Sequence, residues 1–454
     1  MVKTPEELGH WLRLSLTPGV GAEAARRLLA AFGEPEAIFE QSESALRQVV
    51  TALQAQALRQ IPSGWPELTE ETWDWLHAET KPATESETAT APIGRAVVTL
   101  GDDDYPGALL EISDPPLMLY AMGQIQALRH LKAAQTVAMV GSRNPTPQGQ
   151  INAREFARSL AASGLTVVSG MALGVDGAAH EGALLGALLS ANFHVPTPML
   201  NVTTVAVVGT GLDRVYPKQH RDLAHRIAQR GLILSEYALG TPPLAPNFPR
   251  RNRLISGLAQ ATLVVEAALQ SGSLITAKQA LEQGRDVMAI PGSIHSAQSK
   301  GCHLLIKQGA KLVESAQDVL EELRLPDPFA QIPLALPGSP KQGEVRGAGA
   351  SGGVEGGVEG GAGGGAGGGV EGGAGGETGV EDGLEGTTTD EIGNALRDEQ
   401  ALLHALGHDP VSLDALQARC GWPTAQLQAQ LLELELMGQV GRLPGGLFQR
   451  IGSA

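Results

Sequence analysis

Three arginines lie within four positions of the segment 247–256 (NFPRRNRLIS), directly after a phenylalanine and a proline. Arginine side chains can neutralise phosphate groups, and an aromatic ring offers a face on which a base can stack. Single-stranded nucleic acid requires both of these features. The alternative is that some of these arginines pair with Glu236 or Glu266 at neighbouring strand ends. The segment predicts a site for unpaired DNA that contains Asn247, Phe248, Arg250, Arg251, Asn252 and Arg253.

Other glycine- and serine-bearing turns stand between an apolar, strand-like run and a helix-like run. Free backbone N–H groups at a helix N-terminus attract phosphate, and glycine lets the ligand approach closely. The alternatives are an ordinary strand-to-helix turn around Arg143 and simple helix capping around Ser271. From these turns we add to the predicted site Gly141, Ser142, Arg143, Ser169, Gly170, Lys218, Ser271, Gly272, Ser273 and Thr276.

The sequence also contains an acid–base candidate, because Asp176 and His180 are four residues apart at the start of a predicted helix. With Glu236 they could serve a nucleotide-binding hydrolase of Rossmann type. We favour a structural interpretation, in which they provide a cap and a local hydrogen bond. The turn 209–214 (GTGLDR) is an incomplete dinucleotide motif, and no GxxxxGK[ST] loop occurs. We therefore predict no cofactor, no metal, no catalytic residue and no enzyme.

The segments that must position these turns are apolar, strand-like runs that alternate along the chain with helical patterns. Continuous apolar runs that alternate with helices predict an α/β fold with a doubly wound parallel sheet, in which ligands bind at the carboxyl ends of the strands. The predicted strands are 96–100, 117–122, 136–140, 165–168, 205–208, 232–234, 263–265 and 287–290. The predicted helices between them are 150–162, 176–189, 218–229 and 273–283.

Charge is distributed unevenly along the 454 residues, whose formal net charge is −16. Residues 137–310 hold 15 Lys and Arg against 9 Asp and Glu, so this stretch alone is basic. A basic region within an acidic protein indicates a polyanion that is bound locally. Cys302 and Cys420 are the only cysteines, which argues against a disulfide framework. With neither a signal peptide nor a long apolar run, the sequence predicts a cytoplasmic protein.

Composition divides the chain into five segments. Residues 1–80 have a helical pattern, 81–92 form a polar linker, 93–325 form the basic α/β domain, and 326–395 form a glycine-rich linker. Residues 396–454 have three helical patterns and a hairpin, which are the parts of a winged helix. Since 396–450 contain four arginines, no lysine and six acids, we predict a protein-contact or regulatory role there rather than duplex binding.

Eight sequence blocks in one order closely resemble the DNA-processing protein A (Smf) family. The blocks are GSRNPT at 141–146, SGMALGVDGAAHEGAL at 169–184, GTGLDRVYP at 209–217, SEYALGTPP at 235–243, FPRRNRLISGL at 248–258, VVEAALQSGSLITA at 264–277, IPGSI at 290–294 and SKGCHLLIKQGA at 299–310.

This resemblance implies an extended Rossmann domain that binds single-stranded DNA, protects incoming strands and loads the RecA recombinase in natural transformation. It also implies a homodimer formed through that domain, single-strand-binding protein as a further partner, and an N-terminal domain similar to sterile-alpha-motif or helix-hairpin-helix domains. The lack of a long apolar run predicts no membrane association. The family's phosphate-contacting arginine corresponds to Arg143, and its DNA pocket corresponds to Phe248, Arg251, Asn252, Arg253 and the turn 271–273.

The chain departs from the family pattern at several positions. Leu173 and Leu244 stand where many relatives have Lys or Arg, so the phosphate contacts implied there are in doubt. His303 replaces a common asparagine, and the segment 185–204 is longer than the usual connection to the next strand.

Overall fold

The computed structural model describes residues 1–78, 93–192, 202–323, 402–403, 405–407, 410–443 and 445–451. The predicted linkers 81–92 and 326–395 lie outside the described residues. Of the predicted insertion 185–204, the first part is helical, and residues 193–201 also lie outside the described ranges.

A nine-stranded sheet organises the central region, and its strands are short and largely buried. Its order is β1-β2-β6-β5-β4-β3-β7-β8-β9. The seven strands from β3 to β9 pair in parallel, which confirms the predicted doubly wound parallel sheet. The strands are β1 (Gly94–Thr99), β2 (Met118–Gly123), β3 (Thr136–Val140), β4 (Thr166–Ser169), β5 (Thr204–Val207), β6 (Leu232–Ser235), β7 (Ala261–Val264), β8 (Asp286–Ala289) and β9 (Lys311–Leu312).

The first two strands extend this sheet in the opposite direction. β1 pairs antiparallel with β2, and β2 pairs antiparallel with β6. The sequence predicts both strands but not the pairing of β2 with β6, because that pairing brings together residues more than a hundred positions apart.

Helices cover both faces of the sheet. One buried cluster contains Phe156 and Leu160 of α8 with Val137 and Met139 of β3. Another contains Leu254 of α11 with Ala138 and Val140, which lie on the opposite face of the same strand. The helices of this region are α7 (Gly107–Leu110), α8 (Pro147–Ala162), α9 (Val175–Asn192), α10 (Arg221–Arg230), α11 (Asn247–Gly257), α12 (Ser273–Glu282), α13 (Lys300–Lys307) and α14 (Ala316–Glu322).

The N-terminal region is helical, as predicted. Leu14, Leu28, Ile38, Leu46 and Leu58 form its own core, and the Thr4 hydroxyl caps the first helix by accepting a hydrogen bond from Glu7 N. The helices are α1 (Pro5–Leu16), α2 (Ala22–Phe32), α3 (Pro35–Glu40), α4 (Glu43–Leu46), α5 (Ala52–Leu58) and α6 (Trp65–His77).

The C-terminal region has a winged-helix arrangement, as predicted. Its strands form a three-stranded antiparallel sheet in the order β10-β12-β11. Leu416, Leu427, Leu431, Leu434 and Phe448 are buried in its core. The elements are β10 (Val411–Ser412), α15 (Leu413–Cys420), α16 (Thr424–Leu436), β11 (Val440–Leu443) and β12 (Leu447–Arg450).

The order of the strands creates a crevice beside β3. After β3 the chain builds β4, β5 and β6 on one side, and it then returns to place β7 on the other side. The loops that follow β3 and β7 therefore diverge at the carboxyl edge of the sheet. Ligands of doubly wound sheets bind at such a topological switch point.

Candidate nucleic-acid interface

A cavity of about 610 Å³ opens at this carboxyl edge, between the loops that follow β3, β4, β5, β6 and β7. Loops that are distant in sequence thus share one surface. Nine of the predicted site residues line the cavity: Gly141, Arg143, Phe248, Arg251, Asn252, Ser271, Gly272, Ser273 and Thr276.

The other predicted residues have different placements. Ser142, Ser169 and Asn247 are buried, and the last two donate hydrogen bonds to Met139 O at 2.7 Å and Gly209 O at 3.1 Å. These three side chains hold the loops in place. Gly170 lines a smaller cavity of about 70 Å³ that shares Arg143 and Phe248 with the large one. Lys218 and Arg250 are exposed and line neither cavity.

Two contacts fix the turn that carries Arg143. Ser142 N donates to Glu266 O at 2.7 Å, and Val175 N donates to Ser142 O at 3.1 Å. Gly141 is required here because a Cβ would lie 2.7 Å from a methyl carbon of Val175. The turn leaves Arg143 exposed at the mouth of the cavity.

The side chain of Glu266 supports the next part of this loop. Its carboxylate accepts hydrogen bonds from Thr146 N and from the Thr146 hydroxyl, each at 2.8 Å. Burial raises the pKa of the Glu266 carboxyl, and these two hydrogen bonds oppose that rise. Glu266 therefore orders the loop rather than pairing with an arginine of the 247–256 segment.

Two aromatic rings and a guanidinium group form a contiguous series at the cavity. The Arg143 guanidinium carbon lies 5.7 Å from the centroid of the Phe248 ring. The centroids of the Tyr216 and Phe248 rings are 5.6 Å apart. Tyr216 lines both cavities, and sequence reasoning missed it as a site residue. The available signal was that Tyr216 is the aromatic residue of the GTGLDRVYP block.

Arg251 lies beneath the surface, although its side chain contributes to the cavity lining. The residue is 3% exposed, and its guanidinium donates to Val207 O at the end of β5. Burial lowers the pKa of Arg251 to about 10, an effect that the nearby Asp176 carboxylate opposes. A Cβ at Gly170 would overlap the guanidinium, so glycine is needed to accommodate it. This placement indicates a structural group and not an exposed phosphate contact.

Arg253 pairs with acids, as in the alternative weighed from the sequence. It bonds Glu236 at 2.5 Å and Asp114 at 3.2 Å, and Asp114 also pairs with Arg26 of α2 at 2.7 Å. Arg253 does not line the large cavity. Three charged side chains, Arg26, Asp114 and Arg253, therefore link α2 to α11.

The proposed acid–base candidate is buried and internally bonded. The His180 ring is fully buried, and its Nδ1 lies 2.7 Å from the Thr204 hydroxyl. Burial lowers the pKa of His180 to about 3, and the charges of His220 and Arg251 contribute to this shift. Asp176 accepts a hydrogen bond from Ala172 N at 3.3 Å, and burial raises the pKa of its carboxyl. These contacts agree with the structural interpretation, although His180 bonds Thr204 rather than Asp176.

The buried ring predicts a pH dependence of stability. The folded-state pKa of His180 is about 3, below its ordinary value of 6.5, so the ring's contribution is complete above about pH 6.5 and is lost as the pH falls towards 3. Between pH 7 and pH 5 we expect the wild type to lose about 2 kcal/mol more unfolding free energy than His180→Asn. Urea unfolding at both pH values measures this, and parallel losses in the two proteins would contradict it.

Two features are absent from the part of the chain that the structure describes. Within it, no group of three His, Cys, Asp or Glu side chains is arranged to hold a metal ion. None of its helices is both long enough and apolar enough to cross a membrane.

Comparison with known proteins gives consistent matches. Residues 96–324 match the family model described as DNA recombination-mediator protein A, and residues 390–446 match the DprA winged helix domain. Protein Smf of Escherichia coli (strain K12) is 36% identical over 343 residues, which are 75% of this chain and 74% of that protein.

Two matches come from Streptococcus pneumoniae. The DNA processing protein DprA of strain ATCC BAA-255 / R6 is 46% identical over 221 residues, which are 49% of this chain and 72% of that protein. The X-ray structure of DNA processing protein A from this species superposes with a TM-score of 0.55 at 33% identity, and the match covers 71% of this chain and 99% of that chain.

Proposed function

We propose that this chain, which belongs to the DNA recombination-mediator protein A family and has a DNA-processing role, binds single-stranded DNA in the cavity beside β3. The observation that carries this proposal is the convergence of exposed Arg143, Phe248 and the turn 271–273 on one cavity. An arginine and an aromatic ring supply a phosphate contact and a stacking face. The turn at the start of α12 adds hydroxyl groups and helix N-terminal amides.

The proposed role is that of a mediator without catalysis. It protects incoming strands and loads the RecA recombinase during natural transformation and homologous recombination. Single-strand-binding protein is a further proposed partner, and the assembly is a homodimer formed through the Rossmann domain. Support comes from the family membership and from the resemblance of the eight sequence blocks.

We assign separate roles to the proposed domains. Residues 93–325 bind the strand, and 1–80 form a domain similar to sterile-alpha-motif or helix-hairpin-helix domains. Residues 396–454 contact a protein or regulate binding, because α16 carries Glu433 and Glu435 and no basic residue. Without cations, a helix contributes little to duplex binding.

Arg143→Ala tests the proposed site. We expect about tenfold weaker binding of a fluorescent oligo-dT with an unchanged fold, because an exposed charge-assisted contact is removed. The matched control is Arg230→Ala, an exposed arginine next to the amino end of β6, at the opposite edge of the sheet. Equal affinities of Arg143→Ala and the wild type would remove Arg143 from the site.

Loading requires its own measurement. We expect the wild-type protein to accelerate RecA filament assembly on single strands that are coated with single-strand-binding protein. Strand binding without such acceleration would restrict the function to protection.

The hydrolase alternative makes a different prediction. Its candidate groups are Asp176, His180 and Glu236, of which the first two are buried and the third pairs with Arg253. Release of free base or phosphate from mononucleotides would favour that alternative.

A further inference from the structure

We propose that the cavity recognises unpaired nucleobases, and that base contacts rather than phosphate neutralisation supply most of the affinity for the strand. This inference rests on the proposed function and names the chemical group of DNA that the site reads. The sequence alone favours the opposite emphasis, since three arginines within four positions suit phosphate neutralisation.

The cavity has fewer available cations than the row of arginines in the sequence suggests. Among the described residues that line it, only Arg143 and Arg251 are cations. Arg251 is buried and bonded to Val207 O, and Arg253 is held by two carboxylates outside the lining. One exposed guanidinium, that of Arg143, therefore remains in the cavity to meet a phosphate.

A contiguous series of one guanidinium group and two aromatic rings lies at the cavity. Arg143 lies over Phe248, and the Tyr216 ring adjoins the Phe248 ring at an angle of 38° between their planes. Tyr216 is 45% exposed, so much of its surface is open to a ligand. Stacking of one base on an aromatic side chain changes affinity by about 10- to 100-fold and tolerates any base, since every base has a π-face.

Exposed apolar side chains also lie around the two cavities. Leu173 and Leu244 are 40% and 49% exposed, and Ile275 is 43% exposed. Leu173 lines the small cavity, Ile275 lines the large one, and Leu244 lies between the lining residues Pro243 and Ala245. Clustered exposed apolar groups mark a surface that a ligand covers. Bases and sugars offer apolar surface for this purpose, whereas phosphates do not.

Apart from the buried Asp176, which interacts with Arg251, the remaining polar groups of the cavity are neutral. Asn252 and Thr276 carry an amide and a hydroxyl, and the Ser271 and Ser273 hydroxyls lie 2.7 Å apart at the start of α12. Such groups can both donate and accept hydrogen bonds, which suits the mixed donors and acceptors on a base edge. Those edges are free only in an unpaired strand, so this mode of binding also excludes duplex DNA.

The direct test compares two oligonucleotides of equal length and equal phosphate number with the full-length wild-type chain. One is oligo-dT, and the other has a tetrahydrofuran abasic residue at every position. We expect the abasic oligomer to bind at least about 30-fold more weakly. Binding of the two oligomers within threefold of each other would overturn the inference and leave the proposed function intact. Failure of oligo-dT to bind would instead overturn the proposed function.

Variants and salt give a second, independent readout. Tyr216→Ala should weaken oligo-dT binding about tenfold without changing abasic binding, Tyr216→Phe should restore oligo-dT binding, and Arg143→Ala should weaken both ligands. For oligo-dT, log K against log salt should have a slope of about −1 to −2, because few phosphates are neutralised. A slope steeper than about −4, or equal effects of Tyr216→Ala on both ligands, would overturn the inference.

Discussion

Arg251→Met is expected to lower the free energy of unfolding by about 3–5 kcal/mol, because removing one member of a buried charged pair leaves the other uncompensated. Arg251 and Asp176 are 3% and 8% exposed. The charge of Asp176 raises the pKa of Arg251, and the charge of Arg251 lowers the pKa of Asp176. The substitution also leaves Val207 O without the guanidinium donor. Methionine retains much of the side-chain volume, so the loss reports the charge and the hydrogen bond rather than a cavity.

Chemical denaturation measures this loss, and the adjacent residue provides a matched control. Arg250 is exposed, so Arg250→Met should change stability by less than about 0.5 kcal/mol. Asp176→Asn in the Arg251→Met background should recover part of the loss, since no unpaired buried carboxylate then remains. A loss below about 1 kcal/mol in Arg251→Met would show that the guanidinium does not compensate Asp176.

Helix geometry and ion pairing together explain why the row of arginines does not form one cationic surface. The segment belongs to α11, where successive side chains are rotated by about 100°. Arg251 therefore points away from the other two and is buried. Arg250 and Arg253 are three residues apart and lie on neighbouring positions of the helix surface, but Arg250 is exposed and Arg253 is ion-paired. The sequence identifies the chemistry of these residues. It does not show which of them faces the cavity, because the segment has no apolar periodicity clear enough to orient the helix.

The sheet was more predictable than the site. Short strands that are buried on both faces appear as uninterrupted apolar runs, and the prediction for 136–140 coincides with β3 (Thr136–Val140). The antiparallel addition of β2 to β6 depends on contacts between distant segments, which a local pattern does not contain. The same limit applies to Tyr216, which joins Phe248 only when the loops after β5 and β6 meet.

Arg253→Met is expected to lower the free energy of unfolding by about 2–4 kcal/mol, because it leaves the largely buried carboxylate of Glu236 without its cationic partner. The Glu236 and Arg253 side chains are only 14% and 12% exposed, and their ion-pair distance is 2.5 Å. Burial raises the pKa of Glu236, whereas the Arg253 charge and hydrogen bond lower it. Without Arg253 the Glu236 pKa rises further, and the folded protein holds a costly carboxylate at neutral pH. Asp114 also loses one of its two arginine partners.

The pH dependence separates this electrostatic cause from a loss of packing. As the pH falls towards the raised pKa of Glu236, that carboxyl becomes protonated in the folded variant, so the deficit relative to the wild type should shrink. Glu236→Leu combined with Arg253→Met should recover stability, because no buried charge is left unpaired. Arg129→Met is the matched control, since its ion pair with Asp104 involves an arginine side chain that is 56% exposed and should contribute less than about 1 kcal/mol. A deficit that stays constant from pH 7 to pH 4 would mean that Arg253 stabilises α11 by packing alone. The ion pairs from Arg26 of α2 through Asp114 to Arg253 would then provide no electrostatic coupling between α2 and α11, the helix that bears Phe248.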